Sequence, residues 1–345
     1  MSVKRIEHID VWRFFAVMLV IAEHVFLFSG VDKYWSQVEL YSLQIERFGE
    51  LGVLIFFSIS GFVICTALNS EKNSTGKVCL SAFYARRFFR IIPPLWLYLV
   101  CLTLFNKISS LQALTSAAFV CNFSVFIKNC PWFVGHTWSL AYEEQFYLGY
   151  PLLFLWAWRG GKSSRLLIAI STLMLIALGL RYYGHLFSSE YCVYFLFLLT
   201  GCFTALLPTN WMQRLRNLSF LVWFSAVVSL ICLICFVPGN QDSFLKTIFY
   251  PILVQIIVFG TPTHSSISIV KNIFHNHGLS YLGRISYSVY LWQQIATAYY
   301  PGTVWWQTLF YLVLVFGFAA LSFQYFELPC QKLGTRVSNR LKMRT

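Results

Sequence analysis

Three clusters of ionisable residues lie inside or at the edge of strongly apolar stretches, and each has a spacing suited to chemistry. The first is DVWRFFAVMLVIAEH, in which Arg13 and His24 are eleven positions apart. Eleven helical steps make three turns plus about 20°, so both side chains project from one helix face, about 16 Å apart along the axis. That face carries an anion receptor at one end and a proton acceptor, with Glu23 beside it, at the other. Ionisable groups inside a membrane are costly and mark function by default. The competing readings are snorkelling of Arg13 to the headgroups and a simple bundle hydrogen bond for His24.

The second cluster is YARRFFRIIPPLW. Arg86 and Arg90 are i,i+4 and Arg87 and Arg90 are i,i+3, so a helix gathers all three on one side. Clustered guanidiniums suit bidentate phosphate contacts, although a basic anchor at the inner membrane face explains part of the pattern. Pro93 and Pro94 are expected to break the helix just beyond. The third cluster is HTWSLAYEEQFYLGYPLL at the outer end of an apolar run. Ser139 is expected to cap a helix whose first turn holds Glu143 and Glu144. Two adjacent carboxylates exceed what a cap requires, so one glutamate is expected to face the bundle interior. His136, Trp138 and Tyr147 add polar groups at the same depth.

The elements that position these clusters are membrane spans. Hydrophobic residues make up 58% of the 345, aromatic ones 19% and charged ones 11%, against about 25% charged in soluble domains. A water-soluble enzyme, a nucleic-acid-binding module and a disulfide-stapled secreted domain are excluded. Apolar runs near 11–29, 50–68, 92–106, 144–159, 166–183, 191–207, 218–237, 244–261, 285–300 and 304–324 read as about ten transmembrane helices, most of them near the length a bilayer needs and the third and fourth short of it. Segment 109–127 is too polar to span and reads as a long loop folding back toward the membrane. The first run contains Arg13 and has no small-residue cleavage site, so it reads as a span and not as a cleavable signal. With the N-terminus inside, 19 of the 26 basic residues fall on the inner side and six on the outer, with Arg13 within a helix. That asymmetry follows the positive-inside rule and places both termini in the cytoplasm. The expectation is an all-α integral membrane protein forming a single domain over 1–345.

Other residues carry less. His264, His275 and His277 share a loop without acidic or cysteine partners at ligand spacing, and His185 lies in a short outer loop; no metal is expected. The ten cysteines show no framework spacing, and Cys232 and Cys235 read as packing within an apolar run. Gly52 and Gly61 in GVLIFFSISGF read as close helix packing. Glu327, in FQYFELPCQKL, is expected to pair with inner-leaflet basic residues, and the basic tail after it to be a solvated end near anionic headgroups.

These segments, in this order, resemble the integral-membrane acyltransferase 3 family, which O-acylates sugars and other small acceptors. The resemblance covers nearly the whole chain through DVWRFFAVMLVIAEH, GVLIFFSISGFVI, ARRFFRIIPPLW, TWSLAYEEQFY, LGRISYSVYLWQQ and YFELP. It implies acyl transfer from cytoplasmic acyl-CoA, most often acetyl-CoA, to a carbohydrate-type acceptor: a cell-surface polysaccharide, a lipid-linked precursor or a glycoside. It implies that His24 is the catalytic histidine and Arg13 its companion. Arg87 and Arg90 match an R-x-x-R pair that contacts the CoA phosphates, with Arg86 adjoining. Glu143 matches the glutamate of W-S-L-x-x-E. Trp138, Ser139, Glu144 and Tyr147 are the substrate-binding candidates around it. One departure stands out: Gln293 occupies a position where the family often has histidine. Handover to the acceptor is expected within the bundle or with a partner protein. A bacterial cytoplasmic membrane is the implied location. The alternative from the residues alone is a proton-coupled transporter or flippase using Arg13, His24 and Glu143 as a pathway.

Overall fold

The computed structural model describes residues 7–28, 39–127, 130–158, 163–183, 189–236, 244–263, 267–298 and 305–343. All regular structure among them is helical. In chain order the helices are α1 (Glu7–Phe28), α2 (Glu39–Thr75), α3 (Leu80–Leu104), α4 (Ser110–Ala117), α5 (Ser124–Ile127) and α6 (Trp132–Gly135). There follow α7 (Thr137–Ala157), α8 (Ser163–Tyr183), α9 (Ser189–Ala205), α10 (Thr209–Arg216), α11 (Phe220–Phe236) and α12 (Phe244–Phe259). The last are α13 (Ser268–Phe274), α14 (His277–Arg284), α15 (Ser286–Thr297), α16 (Trp305–Ser322), a π-helical turn (Phe323–Glu327) and α17 (Leu328–Met343). Four described helices are long and apolar enough to cross a membrane, or five if a pair bent by 108° between α9 and α10 counts as one. Shorter apolar helices add to them. The outward faces of α8, α11 and α16 expose Ile168, Leu175, Leu221, Phe224, Val313 and Leu314, as faces turned toward lipid do. The protein is a multi-pass membrane protein.

The chain divides into two compact units. Unit 1 comprises residues 1–23, 39–76 and 146–284. Its centre is the crossing of α2 on α9, made by small residues. A Cβ on Gly61 would lie 1.9 Å from the Leu198 carbonyl oxygen, and one on Gly201 2.1 Å from that of Ser58. Between helices in lipid, where hydrophobicity supplies no drive, such backbone approach maximises packing. Gly52 makes a similar approach to α1, where a Cβ would meet the Ala16 carbonyl at 2.4 Å. The close packing expected at Gly52 and Gly61 is therefore present.

Unit 2 comprises residues 24–38, 77–145 and 285–345. Here α17 runs along α3, α16 packs on α15, and α15 contacts α3 and α6. Two expectations fail in this unit. First, Pro93 and Pro94 lie inside the continuous helix α3. Prolines are tolerated within membrane helices when neighbours supply the lost hydrogen bonds. Here α15 packs against α3, and the Tyr287 hydroxyl donates to the Ile91 carbonyl (2.8 Å), next to the Phe89 and Arg90 carbonyls that lose the proline N–H donors. Second, the segment after Glu327 is a packed helix, not a solvated tail. Gly334 faces Phe89, Ser338 is fully buried, and Arg86 donates a guanidinium hydrogen bond to its hydroxyl.

The polar segment 109–127 folds into α4 and α5, and a disulfide joins Cys121 to Cys130. That pairing was not legible from cysteine spacing. The side chains of Asn122 and Gln145 hydrogen-bond to each other (2.9 and 3.1 Å), and Gln145 also donates to the Phe119 carbonyl (3.1 Å). These bonds tie the loop to the start of α7.

Candidate functional site

The candidate site lies in unit 2 and is arranged along α15. This helix cannot face lipid: Ser286, Ser288–Gln294, Ala296 and Thr297 are all buried. Its polar residues Tyr287, Tyr290 and Gln293 recur every three positions, which places them on one side of a helix. From Tyr287 to Gln293 is about 9 Å of rise.

At one end of this column is His24. Its Nδ1 lies 3.0 Å from Oε1 of Gln293. The Trp132 ring meets the imidazole edge-on at 5.1 Å, and the Trp132 indole N–H donates to the Gln294 carbonyl (3.1 Å). A second histidine, His136, stands in the middle. Its ring lies edge-on to Tyr290 at 5.2 Å and Tyr98 at 5.7 Å. It is 3% exposed, and neither ring nitrogen has a hydrogen-bond partner. The Tyr290 hydroxyl donates to the His136 carbonyl (2.9 Å) and lies 2.7 Å from Ser139 Oγ. Gln293 Nε2 and Gln294 Oε1 are likewise buried without partners. Buried polar groups are normally bonded, so a set of open donors and acceptors beside two histidines is what a polar substrate or water would complete.

At the other end of the column charges gather. Glu144 is acted on by the charges of Arg87 and Glu143. The charges of Glu327, Glu144, Glu143 and Arg90 all act on Tyr287. Glu327 is 1% exposed in the π-helical turn, and the charge of Arg90 acts on it. π-turns recur at functional sites, and this one turns a carboxylate inward against α3. The guanidinium of Arg87 also lies 5.8 Å from the Phe83 ring.

The sequence-derived candidates fall unevenly on this arrangement. His24, Arg87, Arg90, Glu143, Glu144 and Ser139 line or adjoin the column. Ser139 is not an N-cap: α7 begins at Thr137, so Ser139 is inside the helix and Glu143 and Glu144 fall in its second turn. Its hydroxyl bonds instead to the His136 carbonyl (3.2 Å) and to Tyr290. Arg86 points away to α17 through Ser338. Trp138 stacks edge-on with Tyr142 at 5.8 Å. Tyr147 is buried further along α7, in unit 1. Arg13, also in unit 1, is 3.7 Å from Asp10 one turn earlier on α1. Glu23 packs in unit 1 against Gly49, beside Glu46 and Glu50. His275 lies 3.7 Å from Glu7, while His185 and His264 lie outside the described residues. No His/Cys/Asp/Glu cluster suited to a metal occurs among the described residues.

Sequence reasoning missed Tyr287, Tyr290, Gln294 and the burial of Glu327. The available signal was the three-residue recurrence of polar groups in SYSVYLWQQ, inside a run otherwise read as a span.

Two histidines with carboxylates and guanidiniums, gathered along one buried polar helix, make this column the candidate site of the chain. The family model described as an acyltransferase domain matches residues 6–323, and the chain belongs to the acyltransferase 3 family. The chain is similar to the O-acetyltransferase OatA of Staphylococcus aureus strain NCTC 8325, with 28% identity across 83% of this chain and 53% of that protein. It is also similar to the peptidoglycan O-acetyltransferase OatA of Listeria monocytogenes, with 27% identity across 96% of this chain and 57% of that protein. The chain thus spans about half the length of these curated relatives. No solved structure matches it.

Proposed function

We propose that the chain is a membrane O-acetyltransferase that moves an acetyl group from cytoplasmic acetyl-CoA to a hydroxyl of a carbohydrate acceptor, with peptidoglycan as the leading acceptor class. The observation that carries this reading is His24, hydrogen-bonded to Gln293 among open buried polar groups in a family member.

His24 acts as the general base. It removes the acceptor hydroxyl proton as the oxygen attacks the thioester carbonyl, and the CoA thiolate leaves and is protonated. Positioned base catalysis of this kind contributes about 10²–10⁴-fold. Arg87 and Arg90 receive the CoA phosphates. Glu143 holds the acceptor, with Trp138 and Ser139 lining the acceptor side.

The charge asymmetry supports about ten spans in one domain over 1–345, with cytoplasmic termini in a bacterial cytoplasmic membrane. The Cys121–Cys130 disulfide supports the same topology, because disulfides persist on the oxidising side, and the loop that holds it follows the outer end of α3.

The test is CoA release from acetyl-CoA by purified protein in liposomes supplied with peptidoglycan fragments as acceptor, wild type beside His24→Ala. Histidine-dependent release is expected. Equal release by folded His24→Ala protein refutes the base assignment, and no release by either refutes the donor.

A further inference from the structure

Gln293 does more than fill the core. It is fully buried, and its side-chain oxygen lies 3.0 Å from His24 Nδ1 and 3.2 Å from the Thr297 hydroxyl, one turn further along α15. An amide oxygen only accepts, and a neutral imidazole carries a single N–H. An oxygen held against Nδ1 therefore requires the proton on Nδ1 and leaves the lone pair on Nε2. The bond the other ring nitrogen makes selects the tautomer of a working histidine.

The neighbouring residue restrains the same ring from a second direction. The Gln294 carbonyl anchors the Trp132 indole, and the Trp132 ring meets His24 edge-on at 5.1 Å. Two consecutive residues of α15 thus control the ring: Gln293 sets its protonation pattern, and Gln294, through Trp132, limits its tilt. Thr297 in turn braces the Gln293 amide, and its hydroxyl also reaches the Gln293 backbone carbonyl (3.0 Å).

We propose that Gln293 is a positioning residue that holds His24 as the Nδ1–H tautomer and so presents Nε2 as the basic nitrogen. The inference rests on the reading of His24 as a general base and deepens it. A glutamine does this without placing a charge next to the ring, whereas a carboxylate in its place would also be an acceptor but a charged one.

The primary experiment needs no turnover. Protein labelled with ¹³C,¹⁵N-histidine is placed in lipid bilayers at a pH that keeps the ring neutral, and the His24 signals are assigned by their loss in His24→Ala. The ring shifts of wild type are expected to report Nδ1–H and an unprotonated Nε2, and Gln293→Leu to lose that pattern. An Nε2–H ring in the wild type, or identical tautomer populations in wild type and Gln293→Leu, overturns the proposal.

The second experiment is CoA release from acetyl-CoA. Gln293→Leu is expected to lower kcat by about 10- to 100-fold, the scale of one hydrogen bond to a buried group, with KM for acetyl-CoA within about twofold. Gln293→Glu, which keeps an acceptor oxygen, is expected to recover most of the loss. Full kcat in Gln293→Leu overturns the proposal. If the tautomer pattern holds while wild type releases no CoA, the positioning inference stands and the acetyl-CoA reading falls.

Discussion

Replacing Gly334 by alanine tests whether the packing of α17 on α3 sets the charged end of the site. An alanine Cβ would lie 2.6 Å from Phe89 Cβ and 3.1 and 3.2 Å from its Cγ and Cδ2. Both Cβ atoms are fixed to helix backbones, so neither can rotate away, and restoring an ordinary contact requires the helices to part by about 1 Å. Overpacking of this kind costs about 1–3 kcal/mol, offset by up to about 1 kcal/mol from alanine's helix propensity. The control is Gly317→Ala on α16, where nothing lies within 4 Å of the added atom, so only the propensity gain remains. The two variants are expected to differ by about 2 kcal/mol in chemical unfolding in detergent. Because Phe89 lies between Arg87 and Arg90, and a shift of about 1 Å can cost about 10²-fold, acyl transfer by Gly334→Ala is expected to fall at least about tenfold. Equal stability of the two variants, with wild-type activity in Gly334→Ala, would refute the argument that this contact positions the arginines.

Two further outcomes follow from unit 2. Arg87→Ala leaves Glu144 beside Glu143 without its cation and is expected to destabilise by about 1–3 kcal/mol, less than a fully buried pair because Arg87 is half-buried. Adding Glu144→Gln should restore most of that stability while leaving KM for acetyl-CoA raised; strictly additive effects on unfolding would show that the two residues are not coupled. Serine at both Cys121 and Cys130 is expected to cost about 2–3 kcal/mol for a loop of this size. In intact cells, a membrane-impermeant maleimide should label the wild-type pair only after an impermeant reductant, and labelling that requires permeabilisation would contradict the outward placement of the loop.

The sequence by itself determined the class of protein, because apolar run length and charge asymmetry are local quantities that the bilayer reads one segment at a time. It also determined the close packing at Gly52 and Gly61, where the lack of a side chain is itself the structural signal. His24, Arg87, Arg90 and the glutamate pair stood out in the sequence as candidates because a charge in an apolar run is costly wherever the run packs. What lay beyond the sequence were properties created by a neighbouring helix. Pro93 and Pro94 look like a break until α15 packs on α3 beside them, with Tyr287 bonded to the adjoining Ile91 carbonyl, and the segment after Glu327 looks solvated until α3 covers its small residues. Cys121 and Cys130 acquire a relation only when the loop closes. Gln293 looks like a loss of chemistry at its position until it stands 3.0 Å from His24. Tertiary structure decided these points because a hydrogen bond, a disulfide or a helix contact depends on the partner's position, and residues 269 positions apart in the chain carry no local mark of that partnership.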